Sequence, residues 1–212
     1  YISYSPDGKY LSSGIKIWEI SSGECIRTLE DHRDSLRSIV YSPDGKYIAS
    51  GSNDNTIKIW EVSSGKCIKT LEGHRSSVSS ISYSPDGKYL SSGSYDKTIK
   101  IWEVSSGECI KTLEGHNETV TSVSYSPDGK YIASGSLDNT VKIWEISSGE
   151  CINTLEGHEW AVNCISYSSN GKYIASGSND RTIKIWKNKK FRGTIRKFGG
   201  TIRVKEQLDI ND

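Results

Sequence analysis

The chain has 212 residues, with 27 Lys+Arg against 26 Asp+Glu and a net charge of +1, a balance that excludes a surface built to bind polyanions everywhere. Charged residues at 25 %, together with 6 Trp and 12 Tyr, exclude general disorder, and no apolar run reaches the 18 or so residues of a membrane span. Only 34 % of residues are hydrophobic, but 20 Gly and 36 Ser suit many short strands joined by tight turns.

The chain starts at Tyr1 and contains no Met, so it reads as an excerpt of something longer. No signal or transit peptide lies within it.

One period organises everything that follows. Trp18, Trp60, Trp102, Trp144 and Trp186 stand 42 residues apart, as do His32, His74, His116 and His158, and Cys25, Cys67, Cys109 and Cys151. The units run approximately 1–30, 31–72, 73–114, 115–156 and 157–198, followed by a basic tail at 199–212.

The first unit is short. Pro6 falls 37 residues before Pro43, and aligning residues 10–18 with 89–102 places the loss at the stretch equivalent to Ser94–Thr98. An odd deletion is expected to reverse the inward–outward alternation of a strand unless a bulge restores it. This unit should be the weakest.

The third unit shows the intact pattern: strands A to D over Val78–Ser84, Lys88–Ser94, Thr98–Val104 and Glu108–Leu113. Alternation is visible in Ile99-Lys-Ile-Trp, and β-branched and aromatic residues fill the runs. Ser84-Pro-Asp-Gly presets the backbone at Pro85 and offers Gly87 for positive φ, and Ser105-Ser-Gly does the same for the last hairpin.

The pattern Gly73-His74, Ser84-Pro-Asp-Gly, Ser92-Gly, Asp96 and Ile101-Trp102-Glu103 resembles the WD40 (β-transducin) repeat over residues 1–187. The signature Trp-Asp is Trp-Glu four times and Trp186-Lys187 once, and the first Gly-His is Asp31-His32. The resemblance implies an all-β propeller segment of five four-stranded antiparallel blades, the first truncated and the last irregular. WD40 rings usually close at seven blades and are latched by pairing one terminus into the other end's blade. Tyr1 begins inside a strand, so a partial ring is expected rather than a five-bladed closure.

The resemblance also assigns the recurring polar residues to structural tetrads in which Trp donates to Ser, Ser to His and His to Asp. The sets are Trp60, Ser50, His32 and Asp54; Trp102, Ser92, His74 and Asp96; Trp144, Ser134, His116 and Asp138; and Trp186, Ser176, His158 and Asp180. A hydrolytic Ser/His/Asp triad is the competing reading. A catalyst needs one exposed nucleophile and an oxyanion site, which four identical buried copies do not provide.

Equivalent cysteines on successive outer strands cannot bridge, because packed sheets lie about 10 Å apart and a disulfide needs Cα atoms within about 7 Å. No Cys/His spacing suits zinc, so no metal and no cofactor are expected. Small buried thiols in a reducing cytoplasm are the reading, with Cys164 a neutral swap for Ser38, Ser80 and Ser122.

Units three and four are identical at 30 of 42 positions. Beyond aliphatic exchanges, the differences gather in the loop leading into strand A and the turn between strands B and C, which an up-and-down blade puts at one end. The variable rim yields partner-binding candidates Arg33, Arg37, Arg75, Tyr95, Lys97, Glu118, Leu137, Trp160, Asn179 and Arg181. Aromatic residues and Arg are the types that anchor interfaces, although drift in solvated loops would also produce variation.

After Trp186 the repeat gives way to a tail whose residues 187–212 hold 8 basic and 3 acidic residues. Phe191–Lys197 can stand in for the last outer strand, with Thr201–Lys205 a possible second strand and a frayed end. The expected function is a non-catalytic platform for a protein or peptide, with no membrane contact. Two other classes are weighed and ranked lower. Nucleic-acid contact through the tail lacks a stripe of stacking aromatics. An enzyme using the central channel would rest on Arg37 alone, beside Ser79, Thr121 and Asn163.

Overall fold

The structure, a computed structural model, describes residues 1–187 and the backbone of 201–203. Unit one consists of β1 (Ile2–Tyr4), β2 (Tyr10–Ser13), β3 (Lys16–Glu19) and β4 (Cys25–Thr28), and unit two of β5 (Leu36–Tyr41), β6 (Tyr47–Ser52), β7 (Ile57–Glu61) and β8 (Cys67–Leu71). Unit three has β9 (Val78–Tyr83), β10 (Tyr89–Ser94), β11 (Ile99–Glu103) and β12 (Cys109–Leu113), and unit four β13 (Val120–Tyr125), β14 (Tyr131–Ser136), β15 (Val141–Glu145) and β16 (Cys151–Leu155). Unit five holds β17 (Val162–Tyr167), β18 (Tyr173–Ser178) and β19 (Thr182–Lys187), with β20 (Thr201–Arg203) pairing its backbone to β19. Each unit is one antiparallel sheet in simple up-and-down order.

The turns close through their own side chains. In Ser84-Pro-Asp-Gly, Asp86 accepts from the Ser84 hydroxyl at 2.6 Å and from the Lys88 N–H, while Ser84 Oγ accepts the Tyr89 N–H at 2.9 Å. The same chemistry recurs at Ser42, Ser126 and Ser5, so each A–B hairpin carries a local reason to form.

The core sits between sheets rather than within one. Ala49, Ile57, Ile59 and Leu71 of unit two pack with Val78, Ile81, Leu90 and Trp102 of unit three, and the next two interfaces repeat the arrangement. Close approach depends on glycine in strand B: a Cβ on Gly93 would fall 2.6 Å from Val120 Cγ1 of the following unit. Polar latches reinforce these contacts, with the fullest set joining units three and four. Ser38, Ser80 and Ser122 accept the backbone N–H of Ile81, Val123 and Ile165, each at 3.1 Å. The Ser79 and Thr121 hydroxyls donate to Val120 O and Val162 O. On the outer strands, Arg27 donates to Ser63 O at 2.9 Å, Lys69 to Ser105 O, and Lys111 to Ser147 O at 2.9 Å.

This geometry corrects one expectation about cysteine. The outer-strand thiols are not buried: Cys25, Cys109 and Cys151 are exposed and Cys67 is half-buried. The outermost strand has solvent on one side, and each Sγ contacts the carbonyl oxygen two residues on, as Cys109 does with Lys111 O at 3.5 Å.

Unit one corrects a second expectation. Leu11 pairs with Trp18 as Leu90 pairs with Trp102, so the alternation is not reversed and no bulge is needed between β2 and β3. The loss takes the B–C turn and the adjoining strand ends, so β2 stops at Ser13, which pairs with Lys16 as Ser92 pairs with Lys100. Gly14, at φ +57, occupies the first position of a two-residue turn, where an L side chain would be strained. The outward face of this unit is bare: Ile2 and Tyr4 are 66 % and 64 % exposed, whereas Ile39 and Tyr41 at the same positions in unit two are 6 % and 5 % exposed. Among the described residues, extensive packing joins consecutive units only. Phe191–Lys197, expected as the last outer strand, lies outside the described residues.

Candidate partner-binding rim

The rim is built on the recurring polar sets. In unit three, Trp102 Nε1–H donates to Ser92 Oγ at 2.8 Å, Ser92 lies 2.7 Å from His74 Nε2, and His74 Nδ1 lies 2.8 Å from Asp96 Oδ2. With the Nδ1 proton facing the carboxylate, Nε2 accepts the serine hydrogen, and every donor has one acceptor. The sets at His32, His116 and His158 have matching distances. Ser92 is fully buried, so its hydroxyl is no exposed nucleophile. In unit one, with neither the His nor the Asp, Trp18 is half-buried and the Lys16 ammonium lies 5.6 Å from its ring.

Each Asp does more than hold its histidine. Asp96 Oδ1 accepts from the Thr98 N–H and hydroxyl, and Oδ2 also accepts the Arg75 N–H at 2.9 Å. Burial alone would raise its pKa, but the hydrogen bonds from His74, Thr98 and the Arg75 N–H outweigh it and hold the carboxyl well below the usual range. Asp54, Asp138 and Asp180 are lowered in the same way. Ser94 Oγ donates to Ser76 O, and the Tyr95 N–H to Ser77 O, each at 3.0 Å. The D–A loop and the B–C turn are thereby tied together, and their remaining side chains face outward from a fixed backbone.

Trp160 is 64 % exposed, Leu137 44 % and Tyr95 43 %. Arg33, Arg75, Glu118, Asn179 and Arg181 are exposed as well. The structure brings some candidates together across units. Arg37 donates through Nε to Asn53 Oδ1 at 2.7 Å, with its guanidinium carbon 6.0 Å from the Tyr95 ring centre. Lys97 reaches Asn117 O at 2.7 Å and Glu118 at 3.3 Å. Asn179 accepts from Asn163 at 2.5 Å. Lys97 and Arg181 hold φ of 70° and 64°, where Asn55 and Asn139 stand in units two and four, a left-handed conformation that costs a longer side chain about 1–2 kcal/mol. Trp160 joins no other candidate.

Sequence reasoning missed Asn53, which orients Arg37. The signal was available, since Asn53 is the 42-residue equivalent of Tyr95. It also missed two grooves at the opposite end of the sheets. One, of about 450 Å³ between units two and three, is lined by Tyr47, Ile68, Lys69, Lys88, Tyr89 and Glu103. The other, of about 390 Å³, repeats it between units one and two around Tyr10, Ile26, Lys46 and Tyr47. Among the described residues, no cluster of His, Cys, Asp and Glu could hold a metal, and no helix is long and apolar enough to cross a membrane.

A family model described as the WDR3 first beta-propeller domain matches residues 7–196. No curated protein matches the chain in a direct comparison.

Proposed function

The chain belongs to the family of WDR3 first β-propeller domains, built of WD40 repeats, and from that premise we propose that it is a non-catalytic platform whose D–A and B–C rim binds a protein or peptide. WD40 propeller domains are typically protein-interaction scaffolds and generally non-catalytic. The observation that carries the choice of rim is Trp160, an indole 64 % exposed beside a loop that the His158–Asp180 contact holds in place. Solvating so much aromatic surface is costly, and covering it supplies the largest apolar area of any side chain. Five free thiols suit a reducing compartment, and the cytoplasm is the location in this reading.

The test uses peptides selected against the whole chain by display. Trp160→Ala should weaken their binding by about 2 kcal/mol, a hot-spot magnitude, and leave the melting temperature unchanged. Lys66→Ala, in the exposed hairpin at the opposite end, should alter neither. Binding that survives Trp160→Ala but is lost in Ile68→Ala would move the site to the grooves.

A further inference from the structure

The rim is electrically divided. Units two and three contribute Arg33, Arg37, Arg75 and Lys97 against Glu30, Asp31, Asp34 and Glu72, with Asp31 held by Lys58, whereas units four and five contribute Arg181 alone against Glu114, Glu118, Glu156 and Glu159. Of the four cations on the first half, only Lys97 has an acid within ion-pair distance among the described residues. Arg33 and Arg75 are exposed, and each donates its backbone N–H to the tetrad carboxylate beneath it, so both stand at the same place one unit apart. Arg37 is the second residue of β5. Its Nε is used by Asn53, and the Tyr95 ring backs its guanidinium plane. That arrangement limits the rotamers of Arg37 before any partner arrives and leaves its terminal nitrogens unassigned.

We propose that the three arginines on this half of the rim take the carboxylates of an acidic peptide segment. The segment would run from Arg33 to Arg75 across Arg37, with an apolar residue against the exposed edge of Tyr95. The inference rests on the rim reading above and names the chemistry of its partner. Guanidinium groups match carboxylates in a two-pronged geometry that an ammonium cannot. A nucleic-acid strand fits less well, because Asp34, Glu118 and Glu159 interrupt any continuous cationic track and Tyr95 is a single stacking ring rather than a row.

The experiment measures binding of a fluorescein-labelled Glu/Gly peptide with a central Leu to the full chain. Its Lys/Gly counterpart and single-stranded oligothymidylate serve as comparisons. The acidic peptide alone should bind, and its affinity should fall as salt rises. Arg75→Gln, whose side chain makes no contact needed for folding, should reduce affinity roughly tenfold, as should Arg37→Gln, the loss expected for one charge-assisted contact. Lys66→Gln should change nothing, and the melting temperature of each variant checks that it is folded. Three results would overturn the proposal: no binding of the acidic peptide, binding indifferent to both arginines, or tighter binding of the oligonucleotide. A failure here leaves the rim reading standing if display-selected peptides still depend on Trp160. Loss of that dependence would remove the rim reading itself.

Discussion

Asp96 accepts four hydrogen bonds from three residues on two segments of unit three, the loop into strand A and the B–C turn, which makes it the residue on which the local geometry converges. Asp96→Ala leaves the His74 Nδ1–H without its acceptor in a site that water barely reaches, at a cost of roughly 1–3 kcal/mol. A melting temperature equal to wild type would contradict that role. The tyrosines facing the preceding unit make the opposite case. Tyr41, Tyr83, Tyr125 and Tyr167 bury their hydroxyls without a protein hydrogen-bond partner. Burial pushes the Tyr41 phenol up to about 12, and the other three higher still. Tyr83→Phe keeps the ring and removes an unpaired polar atom, so it should be neutral or stabilise by up to about 1 kcal/mol. A loss of more than about 1 kcal/mol in a denaturant titration would show that the hydroxyl is satisfied in solution.

At the scale of the element, unit one differs most from its siblings. Its B–C turn has only two residues and brings no carboxylate to the place of Asp96, and Trp18 is only half-buried, so its sheet should open at lower free energy than the rest. Hydrogen exchange should show amides in residues 1–28 exchanging well before those of 73–114, and equal protection would refute the ranking. How much of this was legible follows from where the information lies. The strands of unit three were placed within one residue, because alternation, Pro-Asp-Gly turns and a fixed period all mark the same boundaries. The register of unit one was not, since a deletion count says nothing about whether strand or turn absorbs it. The inter-sheet serines escaped notice for a different reason. Ser80 meets Val123, 43 residues away, and nothing local distinguishes a serine that bonds to a neighbouring sheet from one facing water. Exposure of the outer cysteines was misjudged because residue type was weighed above position on an edge strand. For the rim, the loops were identifiable from variation between units, but the contact of Arg37 with Tyr95 needs the relative placement of two sheets.

At the scale of the whole molecule, the tetrad carboxyls Asp54, Asp96, Asp138 and Asp180 are held far down, one in each complete unit, and Asp7, Asp31, Asp44 and Asp86 are lowered as well, so they act together on the response to acid. Their folded pKa values lie below the ordinary 3.8, so the unfolded chain takes up protons first as pH falls. The stability they contribute is complete above that pH and erodes beneath it, by up to about 1.4 kcal/mol per pH unit for each carboxyl. Melting temperature should therefore hold steady near neutrality and drop steeply below about pH 4. Asp96→Asn should make that drop measurably shallower. A profile as steep in the variant as in the wild type would point to carboxyls elsewhere.

The repeated serine-to-amide latch has a consequence for how such a chain comes to be and how it can go astray. Because Ser38, Ser80 and Ser122 meet equivalent partners at the same 3.1 Å, the three boundaries from unit two to unit five share one joint. A stretch of 42 residues can then be duplicated or excised in evolution without either new neighbour having to adapt, which fits two adjacent copies sharing 30 of 42 residues. Interchangeability also removes any address from the joint. A nascent third sheet meets equally welcoming surfaces on the second and the fourth, or on another molecule still on its ribosome, so order has to be enforced by the shortness of the connecting loops. Lengthening the D–A loop between units should thus lower the yield of correctly ordered protein before it lowers the stability of what does fold.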